Sequence, residues 1–282
     1  MHALNKLKKI IKGKLKSIHL GYVRRQYAFS SSQLQTFLSK LGVKDGDVLL
    51  VHCSMQGFES FEGKATDIIS VLKNSVGKAG TLLMPTMSFT GTAIEYVQSG
   101  GVFDVKKTPS RMGLISELFR RMPDVSRSVH PTHAVAAWGV HTKDLLLDHY
   151  KCGTPCGRQS PYGRLLDFDG KILLLGTSVG VLTFFHTVEE ILEKEFPVSP
   201  FTEEKYTMEC QTETGELVTT ETRLFNPDVS KRRNINVLIP ELKSKCAWRD
   251  SKLGTLDAIL LNANDILSVV TAMSQNGKYC YD

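Results

Sequence analysis

The sequence has no long apolar run. Its longest aliphatic stretches, VLLV at 48–51 and ILLL at 172–175, reach only about a fifth of the length a membrane-spanning helix requires. A transmembrane segment is therefore not expected. Near the N-terminus, KKIIKGKLKSIHL is broken by lysines where a signal peptide needs an apolar core, so the expected location is the cytoplasm. GxGxxG and Walker patterns are missing, which leaves the common nucleotide-phosphate loops without support. The GxSxG elbow of many hydrolases is missing too.

Cysteine is present six times but in no regular framework, as in a reduced intracellular protein rather than a disulfide scaffold. Cys152 and Cys156 are spaced CxxxC, not CxxC. His130 and His133 are three apart, but Pro131 between them opposes a helix, and no third ligand fits. No metal is expected.

Charge is unevenly placed. The net value is +6, yet residues 1–25 hold eight Lys or Arg and no acid, leaving 27 basic against 29 acidic residues in the remainder. The body therefore lacks the cationic excess of a nucleic-acid-binding domain. In the leader, Leu4, Leu7, Ile11, Leu15 and Ile18 recur at helical spacing between lysines, an amphipathic pattern. Either this segment is a solvated helix packed on the body or a loosely ordered extension, or it touches a partner or anionic lipid at the inner membrane face. The chain divides into a basic segment, 1–29, and one larger domain, 30–282.

Within that domain, apolar runs alternate with helical spacing. SSSQL at 30–34 starts a helix that should end near Gly42. DVLLVH at 47–52, TLLMP at 81–85, AVAAWG at 134–139 and KILLLGTS at 171–178 read as strands. Helical patterns fall at 64–76, 111–122 and, after GTSVG, from about Val181. From Lys205, residue types alternate around Thr214 and Gly215, which reads as a C-terminal β-hairpin extension. DAILLNANDILSVVTAM at 257–273 reads as helical. The fold class is α/β: an α/β/α sandwich with a largely parallel central sheet.

One helix carries chemistry. In TFFHTVEEILEKEF, 183–196, His186 sits among Phe184, Phe185, Val188 and Ile191. Glu189, three residues on, shares its helical face, and Glu190, four on, is the alternative. A carboxylate can hold one imidazole nitrogen while the other faces a substrate. The positive helix start disfavours imidazolium and the carboxylate favours it. A neutral histidine is what a general base needs. The spacing equally fits a pair that serves only the fold.

Five blocks in order, LLVHCSMQGF, GTLLMPTMSFT, TPSRMGLISELFRR, RSVHPTHAVAAWG and QSPYGRLLDFDGKILLLGTSVGVLTFFHTVEE, resemble the aminoglycoside 3-N-acetyltransferase family. The resemblance runs from about residue 30 to the C-terminal region and is strongest between 47 and 195. It implies an α/β sandwich that transfers acetyl from acetyl-CoA to an amine of a sugar-type acceptor, without an acyl-enzyme. It further implies His186 as the base and Glu189 as the acid that orients it. His52 matches another active-site histidine, and His130 matches an HP motif that supports the site or contacts the acceptor. Ser54, Pro85, Thr86, Thr108, Ser110 and Gly113 match positions along the coenzyme. Backbone N–H groups near Ser54 are candidates to receive the thioester oxyanion.

The near-neutral body favours an amino-sugar nucleotide or polysaccharide precursor as acceptor over a polycationic aminoglycoside. The aminoglycoside itself, with antibiotic resistance as the outcome, is the alternative. A non-catalytic CoA- or sugar-binding protein and a cysteine acyltransferase using Cys53 also stay open.

Overall fold

The computed structural model describes residues 21–281, apart from 22 and 24. The basic amphipathic pattern at 4–18 lies outside the described residues. In chain order the strands are β1 (Val48–Cys53), β2 (Thr81–Pro85), β3 (Val102–Asp104), β4 (Ser126–Arg127) and β5 (Val135–Gly139). They continue with β6 (Lys171–Leu175), β7 (Phe201–Gln211), β8 (Leu217–Phe225), β9 (Arg249–Leu253) and β10 (Leu256–Asn262). The helices are α1 (Ser31–Leu41), α2 (Ala65–Val76), α3 (Ala93–Gln98), α4 (Leu114–Arg120) and α5 (Thr142–Leu146). After them come α6 (Phe185–Ile191), α7 (Pro227–Arg232), α8 (Leu238–Ser244) and α9 (Ala263–Gln275).

β1 is the middle of the large sheet, and its apolar run explains why. Val48 and Leu50 point into one apolar cluster, and Leu49 and Val51 into another, because successive strand residues face opposite ways. Both faces are thus covered. The first face packs on α6, α8 and α9 through Val188, Leu238, Leu242, Ile266 and Val270. The second packs on α1, α2 and α4 through Leu34, Leu38, Ile68, Leu72, Ile115 and Phe119.

The seven strands lie in the order β4-β5-β2-β1-β6-β10-β9. β2 and β6 flank β1 in parallel, whereas β5 and β10 run against their neighbours. The edge strands reverse again, so five of the seven point the same way. AVAAWG is therefore a strand as expected, but an antiparallel one.

The hairpin begins earlier than the alternation implied, at Phe201, and does not extend the large sheet. β7 and β8 pair antiparallel, and β3 joins them in a separate three-stranded sheet. Its own small core includes Val97, Phe103, Met208 and Leu224. The chain then returns to the large sheet through β9 and β10, so the hairpin is not its last element.

Residues 257–262 are a correction, forming β10 rather than the start of a helix. The run Ala258–Leu261 is apolar at every position and fits either state locally, but pairing with β6 decides it. Asn262 then caps α9, its side chain accepting from the N–H groups of Asn264 and Asp265. α1 follows the sequence closely: Ser30 and Gln33 form a capping box, and Gly42 ends the helix at φ +118.

Candidate active site

The parallel strands β2, β1 and β6 bring their C-terminal ends together, where α/β folds place ligands. Gly176 leaves β6 at φ +63, and a Cβ on Gly57 would fall 2.4 Å from its Cα. Glycine is required where the loops after β1 and β6 meet. The GTSVG stretch is accordingly a tight turn with one 3₁₀ turn at Val179–Val181. The α-helix itself starts at Phe185, four residues later than expected.

Phe184, Phe185 and Val188 are fully buried and fix how α6 is rotated. Ile191, expected among them, is exposed. This rotation stacks His186 and Glu189 on one face, with His186 Nδ1 2.6 Å from Glu189 Oε2. The other oxygen, Glu189 Oε1, accepts from Arg233 Nε at 2.6 Å and from the Tyr281 hydroxyl. Glu190 turns away to the Thr154 hydroxyl and packs on Gly157. Glu189 is thus the partner, and burial pushes Glu190 up to about 7.

Burial lowers the His186 pKa and outweighs the opposing pull of Glu189. Burial alone would raise Glu189, but His186, Arg233 and Tyr281 hold its carboxyl below the ordinary value. At neutral pH the pair is therefore neutral imidazole and carboxylate. Glu189 accepts only, so Nδ1 carries the proton and Nε2 keeps its lone pair. His186 opens on a cavity of about 420 Å³ shared with Met87, Phe89, His133, Phe225 and Arg233. Phe225 lies against the His186 ring, centroids 4.0 Å apart.

A second cavity, about 160 Å³, is lined by His52, Cys53, Ser54, Pro85, Met112 and Ser116. The two approach along one loop, since Pro85 lines one and Met87 the other. Burial lowers His52 to about 4, and its Nε2 is buried with no partner among the described residues. That orphaned nitrogen suits a ligand carbonyl or amide. Cys53 and His52 reach the same cavity because it lies at the strand end. Burial pushes the Cys53 thiol up, which opposes the thiolate a nucleophile needs.

The other expected residues divide. Gly113 takes φ +111 where the chain enters α4, and Ser110 Oγ lies 3.3 Å from Ser116 Oγ on the cavity wall. Thr86 is fully buried, and its hydroxyl donates to the Ala134 carbonyl at 3.0 Å and accepts from Arg127 Nε at 2.9 Å. Thr108 lends its carbonyl to Arg127 at 2.6 Å and its hydroxyl to the Asp104 N–H. Both threonines hold the loop through Arg127. Of the N–H groups near Ser54, three are already bonded: that of Ser54 to the Leu175 carbonyl, that of Gln56 to Ser54 Oγ and that of Gly57 to the Ser54 carbonyl.

His130 is fully buried. It stacks on His149, centroids 4.4 Å apart, and its ring lies 6.4 Å from that of His133. Sequence reasoning missed Arg233, Tyr281, Phe225 and the cavity-facing role of His133. Arg233 and Tyr281 gave no signal, being 44 and 92 residues from Glu189. His133 is visible in HPTH, but its spacing there suggests only a metal ligand. Among the described residues no cluster of metal-binding side chains occurs, and no helix is long and apolar enough to cross a membrane.

Known proteins share this arrangement of chain. A family profile described as Aminoglycoside 3-N-acetyltransferase matches residues 50–275. Aminoglycoside N(3)-acetyltransferase IV from Salmonella sp is 30% identical over 256 residues, 90% of this chain and 89% of that protein. The YokD protein of Bacillus subtilis (strain 168), an aminoglycoside N(3')-acetyltransferase-like protein, is 33% identical over 54% of this chain and 61% of its own. Among solved structures, a mutant of AAC(3)-IVa in complex with a gentamicin superposes with TM-score 0.72 at 27% identity, covering 89% of this chain and 91% of that one. AAC-IIIb, solved with CoASH, shares the fold at TM-score 0.74 and 21% identity, covering 88% and 97%. With the profile spanning most of the chain and the likeness to the Salmonella enzyme nearly end to end, the protein belongs to the aminoglycoside 3-N-acetyltransferase family, acyltransferases whose co-substrate is acetyl-CoA.

Proposed function

We propose that residues 30–282 form one catalytic unit that acetylates an amino group of an aminoglycoside. The observation that carries this reading is the His186–Glu189 pair, locked by Arg233 and Tyr281 and opening on a cavity large enough for a sugar ring. The names of the relatives favour the aminoglycoside over the sugar nucleotide expected from charge. Acetyl-CoA lies along the cavity of His52, Ser54 and Pro85, with its thioester toward Met87 and the His186 cavity.

His186 Nε2 takes a proton from the acceptor amine as nitrogen attacks the thioester carbon. The C–N bond forms, the C–S bond breaks, and coenzyme leaves as its thiol once the proton is released. Glu189 stays ionised and stabilises the imidazolium. A positioned base of this kind is worth roughly 10²- to 10⁴-fold. No acyl-enzyme is needed, which agrees with the raised thiol of Cys53.

One observation favours a second reading. Among the described residues lining the His186 cavity are Lys231 and Arg233 but no Asp or Glu, a poor match to a polycation and a better one to an amino sugar bearing phosphate or carboxylate. Acetyl-CoA-dependent mass gain measured across aminoglycosides and amino-sugar nucleotides decides between them. Transfer confined to the nucleotides removes the aminoglycoside reading.

A further inference from the structure

The His186 cavity holds a second imidazole whose protonation is fixed by its surroundings. The N–H groups of Thr132 and His133 both point at His130 Nδ1, at 3.3 and 3.1 Å, so that nitrogen is an acceptor. Thr132 Oγ1 lies 3.3 Å from the same nitrogen and 2.9 Å from His133 Nδ1. A hydroxyl has one hydrogen. Given to His133, it would leave an oxygen lone pair facing the His130 lone pair. Given to His130, it lets His133 Nδ1–H donate to Thr132 with no lone pairs opposed, although His130 Nε2–H stays buried without a partner among the described residues. In that arrangement His133 presents Nε2 as a lone pair, as His186 does. Burial keeps His133 neutral. Phe225 contacts both rings, 5.5 Å from His133 and 4.0 Å from His186 between centroids, and the two imidazoles stand 6.3 Å apart at 88°.

We infer that His133 and His186 together accept two N–H groups of one primary amine, so that His133 aims the acceptor's lone pair at the thioester and the site selects primary amines. Two N–H···N bonds of about 2.9 Å that diverge tetrahedrally need acceptors roughly 4.7 Å apart, and the two ring centroids stand 6.3 Å apart. A hydroxyl or a neutral secondary amine offers a single hydrogen and leaves one imidazole unpaired. Thr132 acts through His133 as a positioning residue.

This inference rests on the proposed acetyl transfer, and its test compares an acceptor with its N-methyl derivative at the reacting nitrogen. The parent enzyme should prefer the primary amine, and His133→Phe should lower kcat/KM for it by roughly tenfold, the loss of one hydrogen bond to a reacting group. The same variant should spare the N-methyl acceptor, so the preference shrinks. His133→Gln, whose amide oxygen accepts, should restore part of the rate. Thr132→Val should lower kcat while coenzyme binding, measured by calorimetry, stays at the parent value and reports an intact fold. An unchanged preference in His133→Phe overturns the inference, since steric exclusion of the methyl group would then explain it. An active His186→Ala enzyme would instead overturn the proposed function itself.

Discussion

Glu189 binds His186 through one oxygen and Arg233 through the other, each at 2.6 Å, with no exposed surface of its own. The carboxylate is thereby held ionised in the core, and the imidazole can neither rotate nor exchange tautomer. That double restraint is what distinguishes the pair from a histidine that only fills space.

Replacing Glu189 with Gln keeps the shape but supplies an N–H toward Nδ1. The imidazole would then carry its proton on Nε2, the wrong nitrogen for a base. We expect kcat to fall about 100-fold or more with coenzyme affinity unchanged, read by steady-state kinetics and calorimetry. Parent-like kcat in Glu189→Gln would mean that the tautomer does not matter.

The pH profile follows from burial. Because the His186 pKa is lowered from 6.5, the base stays unprotonated at neutral pH and is lost only in acid. The acid limb of kcat should therefore lie below pH 6.5. A limb at or above that value contradicts the placement of His186.

Stability should fall in the same direction. His52 and His149, both about 4 in the fold against 6.5 unfolded, contribute stability that is present above pH 6.5 and is lost as pH falls through about 4. Each is worth up to about 3 kcal/mol. Glu190, raised from 4.5 to about 7, has the opposite sign: its contribution is present below 4.5 and lost as pH rises through 7. The histidines outnumber it, so urea midpoints should drop from pH 6.5 toward 4.5. A flat or rising midpoint there would refute the buried neutral imidazoles.

Arg127 is predicted to be structural. Its guanidinium donates to Thr86, Ser88, Val105 and Thr108 and stacks on Phe103 at 4.8 Å. Arg127→Met should cost about 3 kcal/mol by leaving those acceptors buried and unpaired, measured by urea unfolding. A loss of activity without loss of stability would return Thr86 and Thr108 to the coenzyme.

Cys53 should be dispensable for chemistry. Cys53→Ser should retain activity, and rapid mixing should show no acyl-enzyme burst. A burst that disappears in the variant would favour the cysteine route.

The parts legible in the sequence are those fixed locally. Ser30 and Gly42 bound α1 by capping chemistry that needs no distant partner, and the alternation of β1 carries its own two-faced burial. His186 and Glu189 are legible because residues three apart on a helix are neighbours. What stays hidden depends on tertiary contact: β10 is a strand because β6 pairs with it, β5 is antiparallel because of how the chain returns to β2, and Arg233 and Tyr281 reach Glu189 from remote segments. The bond from Arg127 to the Thr86 hydroxyl, 41 residues apart, is likewise hidden in the sequence.

The central claim is a histidine base that serves an amine directly. The most direct test is acetyl-CoA-dependent mass gain on an aminoglycoside by the parent enzyme and by His186→Ala, with coenzyme binding measured in both. The account predicts one acetyl added by the parent, at least a 100-fold slower reaction in the variant, and equal coenzyme binding. Equal rates of acetylation by the two proteins would contradict it.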